Sequence, residues 1–236
     1  RICLVGSEMC IRDRSKGGDR TNPRTGAKHR MNTGSLILVS APSGAGKTSL
    51  VRSILQNDTQ VVVCISHTTR TMRDDERDGE NYFFVDDEKF DQMIKAGEFL
   101  EHASVFGRRY GSSRQEVDSR RAAGQDVILE IDWQGADQVR ALLPDAISIF
   151  ILPPTMAELE RRLRARGQDS EQAITTRLAE AKTDMSQASR YDYLIVNDDF
   201  DRAHEELMSI IRASRQLRQR QMQNRGVAAL IDQRPT

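Results

Sequence analysis

The 236-residue chain carries 35 basic and 35 acidic residues, is 38% hydrophobic, and holds 15 glycines and 6 prolines. Such a composition excludes collagen-like, low-complexity and wholly disordered chains and leaves enough apolar sequence for a sizeable core. No apolar run approaches the ~18 residues of a membrane span, and Cys3, Cys10 and Cys64 form neither a disulfide framework nor a zinc pattern, so a cytoplasmic protein with no membrane partner is expected. Charge is uneven: residues 1–30 hold eight Lys or Arg against three Asp or Glu, leaving 27 against 32 for the rest. A mildly acidic body predicts no stable nucleic-acid partner.

In chain order, residues 1–33 lack helix or strand periodicity and the apolar centre of a secretory signal. They are expected to be a disordered or non-native basic leader outside the fold. Leu36–Ser40 reads as a strand, followed by a Gly-rich turn and a helix through Leu50, Ile54 and Leu55. Val61–Ile65, Val127–Asp132, Ile147–Leu152 and Tyr193–Val196 are short, near-continuous apolar runs of the kind buried parallel strands show. Helical segments over Gln138–Leu143, Met156–Arg166, Gln172–Ala188 and Asp201–Gln219 lie between or after them, the last with Leu207, Ile210, Ile211 and Leu217 on one stripe. Alternating strands and helices predict an α/β protein with a parallel central sheet flanked by helices. The pattern breaks over 66–118. There Thr68–Glu80 is polar and turn-rich, Tyr82–Val85 and Glu98–Ala103 read as strands, and Phe90–Ala96 reads as a short helix, predicting a small α+β insertion. The core is therefore expected over 34–65 and 119–236, with a second interruption near Gly167.

Chemistry concentrates first at Ala41-Pro42-Ser43-Gly44-Ala45-Gly46-Lys47-Thr48, between a strand and a helix. The glycines let the backbone N–H groups curl around phosphate oxygens, Lys47 can reach the β/γ-phosphates, and the Thr48 hydroxyl can ligate Mg²⁺. This loop predicts a bound nucleotide with Mg²⁺. Arg70 and Arg73, with Ser66 before them and Tyr82 after, suit a second phosphate because arginine forks grip its oxygens. Asp74, Asp75 and Glu76 beside them allow a plain solvated loop instead. Glu130 and Asp132 are placed at the carboxyl end of a parallel strand, where ligands bind; Asp132 could equally cap the helix after it. Arg162 and Arg166 are four apart on one helix face, and Arg177 follows the Gly167 turn. His67, His102 and His204 read as ordinary hydrogen-bonded histidines, and Trp133 as core.

The phosphate loop, Ser66-His-Thr-Thr-Arg70-Thr-Met-Arg73, Asp78-Gly-Glu-Asn-Tyr82, Phe99-Leu-Glu101-His-Ala, Tyr110-Gly-Ser112 and Ile131-Asp132-Trp-Gln-Gly135 occur together and in order. From about Ser35 to Arg220 the sequence resembles the bacterial guanylate kinases. The resemblance implies a P-loop kinase with a GMP-binding insertion over 66–118 and an arginine-bearing lid around 155–185. ATP would bind Ala41–Thr48, with Lys47, Arg162, Arg166 and Arg177 catalytic. Arg70, Arg73, Tyr82 and Tyr110 would hold the GMP phosphate, and Ser66, Glu101, Ser112 and Asp132 would read guanine. Thr48, with Glu130 through a water, would serve Mg²⁺. ATP and GMP or dGMP are the implied partners, with a homo-oligomer left open. A sugar-phosphate kinase would not need Glu101 with Asp132, and a noncatalytic scaffold module tends to lose the phosphate loop. Two departures stand out: Asp75 where glycine is common, and Arg108-Arg109 where Asn-Tyr is usual. The added arginines are expected to offset the added acid.

Overall fold

The computed structural model describes residues 33–74, 76–105, 107–165 and 170–232. The expected leader over 1–33 (Thr33 aside), Asp75 and Arg166 lie outside the described residues.

Nine strands and nine helices are described: β1 (Leu36–Ser40), α1 (Lys47–Asn57), β2 (Val61–Val63), β3 (His67–Thr68), β4 (Phe83–Phe84), α2 (Asp87–Lys95), β5 (Phe99–Val105), β6 (Arg108–Ser113), α3 (Arg114–Ala122), β7 (Asp126–Glu130), α4 (Trp133–Leu142), β8 (Ile147–Leu152), α5 (Met156–Ala165), α6 (Glu171–Ser186), β9 (Tyr193–Val196), α7 (Phe200–Ser214), α8 (Arg218–Gln221) and α9 (Arg225–Ile231). One sheet runs β2-β7-β1-β8-β9 with every neighbouring pair parallel. The other runs β4-β3-β6-β5 and is mixed, with β6 antiparallel to both β3 and β5.

The parallel sheet is buried on both faces. Ile37, Val39, Ile128, Ile149 and Ile151 pack under α1 and α7, while Leu36, Leu38, Leu129, Phe150 and Val139 pack on the opposite side with α3 and α4. This explains why its strands read as continuous apolar runs rather than as alternating ones. Helix starts follow local chemistry: Asp86, Ser113, Asp132, Ser170 and Asp199 each accept a first-turn N–H. Among the described residues no helix is long and apolar enough to cross a membrane.

Several boundaries differ from the sequence reading. The helix expected from Gln138 starts at Trp133, because Asp132 Oδ1 caps it through the Gly135 N–H at 2.9 Å. Asp132 therefore leaves the strand, which ends at Glu130, and the two acids do not share a strand face. The helix expected over Asp201–Gln219 stops at Ser214, where Arg215 turns to the carboxylates of Asp58 and the buried Asp126; Leu217, expected on its apolar stripe, is 42% exposed. Thr68, expected to open a polar, turn-rich stretch, instead pairs with His67 as β3, against both β4 and β6. His67 is held by stacking on Phe83 with centroids 4.9 Å apart, and its Nδ1 is buried without a partner, as is that of His204.

Asp126, fully buried at the start of β7, is the node at the end of the sheet remote from the phosphate loop. Its Oδ1 accepts from the Ser35 N–H at 2.8 Å and from Arg220, and its Oδ2 accepts from Arg215 Nε at 2.7 Å. Arg215 also reaches Asp58 after α1 at 2.7 Å. One carboxylate thus ties β1, β7, α1, α7 and α8. Asp126→Ala would leave two guanidinium groups partly buried and short of a partner, and is expected to destabilise the protein by about 3 kcal/mol or more in urea unfolding; a loss below about 1 kcal/mol would show the node to be dispensable.

Candidate active site

β1 ends at Ser40, and the chain turns through residues 41–46 into α1. Gly44 and Gly46 take φ of 94° and 99°, a left-handed backbone that favours glycine. Beneath them Ala45 is fully buried. Asn197, just past β9, donates from Nδ2 to the Ala45 carbonyl at 2.7 Å. The cleft above the loop is a cavity of about 540 Å³. Ala41, Pro42, Ser43, Gly44, Gly46, Lys47 and Thr48 line one side, and Ser66, Arg73, Tyr82, Glu101 and Tyr110 of the mixed-sheet region line another. Glu130, Asp132 and Arg177 complete it from β7, the start of α4, and α6. Residues distant in sequence, singled out for different tasks, therefore face one space.

Glu101 is the most constrained of them. It is 4% exposed on β5, where the pairing register with β6 shifts between Phe99 and Glu101. Its Oε1 accepts from Ser112 Oγ at 2.6 Å. Burial, with Asp132 adding like charge, pushes its carboxyl up to about 7 despite the Ser112 hydrogen bond. Behind it lies Gly135 of α4: a Cβ there would stand 2.5 Å from Glu101 Oε2. Ser112 is itself buried and sits behind the acid rather than on the cavity wall. Ser66 Oγ lies 3.5 Å from Ser112 Oγ, extending the hydroxyl network to the cleft.

The arginines divide. Arg177 reaches the loop, donating from Nη1 to Ser43 Oγ at 3.0 Å. Arg162 does not line the cleft: its Nε donates to Glu158 at 2.8 Å and its Nη2 to the Asn197 carbonyl at 2.9 Å. Arg70 stands at the flank in a bidentate pair with Glu76, at 2.9 and 2.6 Å, with its guanidinium 5.3 Å from the Tyr82 ring centroid. The expected offset of Asp75 by the added arginines involves a position outside the described residues. Arg109 turns to Asp91 at 2.7 Å and Asp87 at 3.5 Å and lies over the Phe90 ring, so α2 holds it. Trp133, expected in the core, is half-buried and faces the cleft.

Thr48 Oγ1 donates to Glu130 Oε2 at 3.1 Å. A hydroxyl and a carboxylate set side by side suit Mg²⁺, which takes few protein oxygens and completes its shell with phosphate and water. Among the described residues, no group of three His, Cys, Asp or Glu could hold a metal by itself.

Sequence reasoning missed Asn197, the packing of Gly135 against Glu101, and the acidic wall of α6, where Glu180 and Asp184 face the cleft. Asp184 is half-buried, and its carboxyl is raised to about 6, by burial first and then by Asp132 and Glu180. The position of Asn197 directly after the last apolar run, at the carboxyl end of a parallel strand, was the available signal.

Because its pKa in the folded protein is raised, Glu101 binds more proton folded than unfolded between about pH 4.5 and 7. Its contribution to stability therefore declines as pH rises through that window. The stability difference between Glu101→Gln and wild type should move in favour of the variant from pH 5 to pH 8; a pH-independent difference would contradict the buried acid.

The guanylate kinase family model matches residues 33–214. The guanylate kinase of Hahella chejuensis is 57% identical over 185 residues, covering 78% of this chain and 89% of that protein. That of Escherichia coli K12 is 55% identical over 197 residues, covering 82% and 94%. The crystal structure of guanylate kinase from Anaplasma phagocytophilum superposes with a TM-score of 0.71 at 32% identity, covering 86% of this chain and 96% of that one. With a phosphate loop and a buried acid in one cleft, and likeness running through nearly all the described fold, the chain belongs to the guanylate kinase family of ATP-dependent nucleoside monophosphate kinases.

Proposed function

We propose that the cleft transfers the γ-phosphoryl group of ATP to the phosphate of GMP, giving ADP and GDP. The observation that carries this reading is Glu101, a buried carboxylate anchored by Ser112 and open to the cavity that the phosphate loop lines. Guanine offers two adjacent donors, N1–H and the 2-amino group, and an ionised carboxylate accepts from both. Adenine offers an acceptor at N1 and no 2-amino group, which would leave Glu101 unsatisfied.

In this reading, residues 66–118 form the GMP-binding insertion on a core of 34–65 and 119–236. Ser66, Ser112 and Asp132 complete the base site around Glu101. Asp132 does so with Oδ2, which meets Gln134 at 3.1 Å, while Oδ1 caps α4. Tyr82, Tyr110, Arg73 and Arg70 receive the GMP phosphate, Arg70 giving up part of its pairing with Glu76. The N–H groups of Ala41–Thr48 cradle the ATP phosphates, and Lys47 neutralises charge that develops at the γ-phosphoryl group. Arg177 joins it from the lid over 155–185. Arg162 reaches the phosphates by leaving Glu158 and the Asn197 carbonyl, and Arg166 is assigned by resemblance alone. Thr48 and Glu130 would hold Mg²⁺, which, bound with ATP, supplies further charge neutralisation. The GMP phosphate is already anionic near neutral pH, so no side-chain base is required, and positioning does most of the work. dGMP, which carries the same base and phosphate, should also serve. With nucleotide substrates and no described helix able to cross a membrane, the reaction is read as a cytoplasmic one.

Lys47→Met is expected to lower turnover by about three orders of magnitude while GMP binding, measured by calorimetry, stays close to wild type; near-normal turnover would remove the loop from the mechanism. The wild type should prefer GMP to AMP by about 10⁴ in kcat/KM, and Glu101→Gln should narrow that ratio by about a hundredfold or more. An unchanged ratio would show that another residue reads the base, and indifference of the wild type to GMP would end the reading itself. Because only the ionised acid accepts both donors, GMP affinity should fall as pH drops from 8 to 6, and a flat profile in wild type would count against it.

A further inference from the structure

We propose that Asn197 is a positioning residue for the phosphate-binding loop: its side-chain amide fixes the direction of the Ala45–Gly46 peptide. This rests on the reading of the loop as the ATP site.

Asn197 is held from behind. Its N–H donates to the Leu152 carbonyl at 2.8 Å, continuing the β8–β9 pairing by one residue. Its side chain is 5% exposed, and Nδ2 meets the Ala45 carbonyl at 2.7 Å. Ala45 is fully buried, so without this donor its carbonyl would lie buried and unpaired, at real cost in stability.

The geometric consequence concerns Gly46. In a trans peptide the carbonyl of one residue and the N–H of the next point in opposite directions. Fixing the Ala45 carbonyl toward β9 therefore aims the Gly46 N–H the other way, toward the cleft that Gly46 lines. The approach is close: a Cβ on Gly46 would stand 2.3 Å from Asn197 Nδ2. Glycine at this position is thus required by the anchor as well as by its φ of 99°.

The second link runs through the main chain. Arg162 Nη2 donates to the Asn197 carbonyl at 2.9 Å, so one residue contacts both the underside of the loop and the arginine of the neighbouring helix. α5 also packs on the loop directly, since a Cβ on Gly44 would meet Leu163 at 3.0 Å and Leu159 at 3.1 Å.

Three variants separate a donor from a space-filler. Asn197→Asp keeps the shape and replaces the donor with an acceptor, Asn197→Leu fills the space without charge, and Asn197→Ala removes the group. Each is assayed for kcat and KM with ATP at saturating GMP, and for GMP and ATP affinity by calorimetry. All three are expected to bind GMP within about twofold of wild type and to lose about tenfold or more in kcat/KM for ATP, with Asp at least as impaired as Ala. Asn197→Asp or Asn197→Leu behaving as wild type would overturn the proposal, because shape alone would then suffice. Equal loss of GMP and ATP binding would also overturn it, by showing general damage to the fold. Should wild type prove inactive on GMP, the direct ATP affinities still test the anchor, so failure of the anchor and failure of the GMP reading are told apart.

Discussion

β1 occupies the middle of an all-parallel sheet, hydrogen-bonded to β7 on one side and β8 on the other, and the site depends on that placement. Parallel strands end together, so residues after β1, β7 and β9 emerge along one edge of the sheet. The phosphate loop, the Glu130–Asp132 pair and Asn197 all sit at such ends. None of them touches its neighbours through sequence proximity. Alignment brings them together, and the doubly buried core holds the alignment. At the opposite edge, Asp126 gathers Arg215 and Arg220 and closes the fold where no ligand is expected.

Glu101, the acid proposed to read the base, shows how much surrounding structure one carboxylate needs. Glu101 stays buried because Ser112 donates to it across the β5–β6 ladder and because residue 135 has no side chain to displace it. Its raised pKa is the electrostatic counterpart of that burial, since a desolvated carboxylate holds its proton until something stabilises the charge. Guanine, with two donors, would be such a stabiliser. Specificity and protonation are then two readings of the same desolvation.

The arginines show the reverse. A guanidinium is always charged, and three of these arginines already have partners: Glu76 for Arg70, Glu158 and the Asn197 carbonyl for Arg162, and Ser43 for Arg177. Under the proposed function, phosphate binding by Arg70 and Arg162 would be an exchange of partners, so its net worth would be smaller than the bare attraction. Glu76 and Glu158 hold these side chains near the cleft, where they can make that exchange.

The sequence alone determined the fold class, because doubly buried parallel strands leave continuous apolar runs, and it determined the phosphate loop, because phosphate cradling demands glycines at set offsets before Lys-Thr. It also carried the ordered motifs that mark the family. Tertiary structure decided what depends on partners far along the chain. Asp132 became a cap because its Oδ1 meets the Gly135 N–H, and the last long helix stopped at Ser214 because Arg215 had carboxylates from α1 and β7 to meet. Arg109 joined α2 rather than a phosphate site because Asp87, Asp91 and Phe90 lay within reach. Asn197 has no motif of its own: its amide acquires a task only where β9 runs beside β8 and ends under the Ala45 carbonyl, a distance of 152 residues along the chain and 2.7 Å in space.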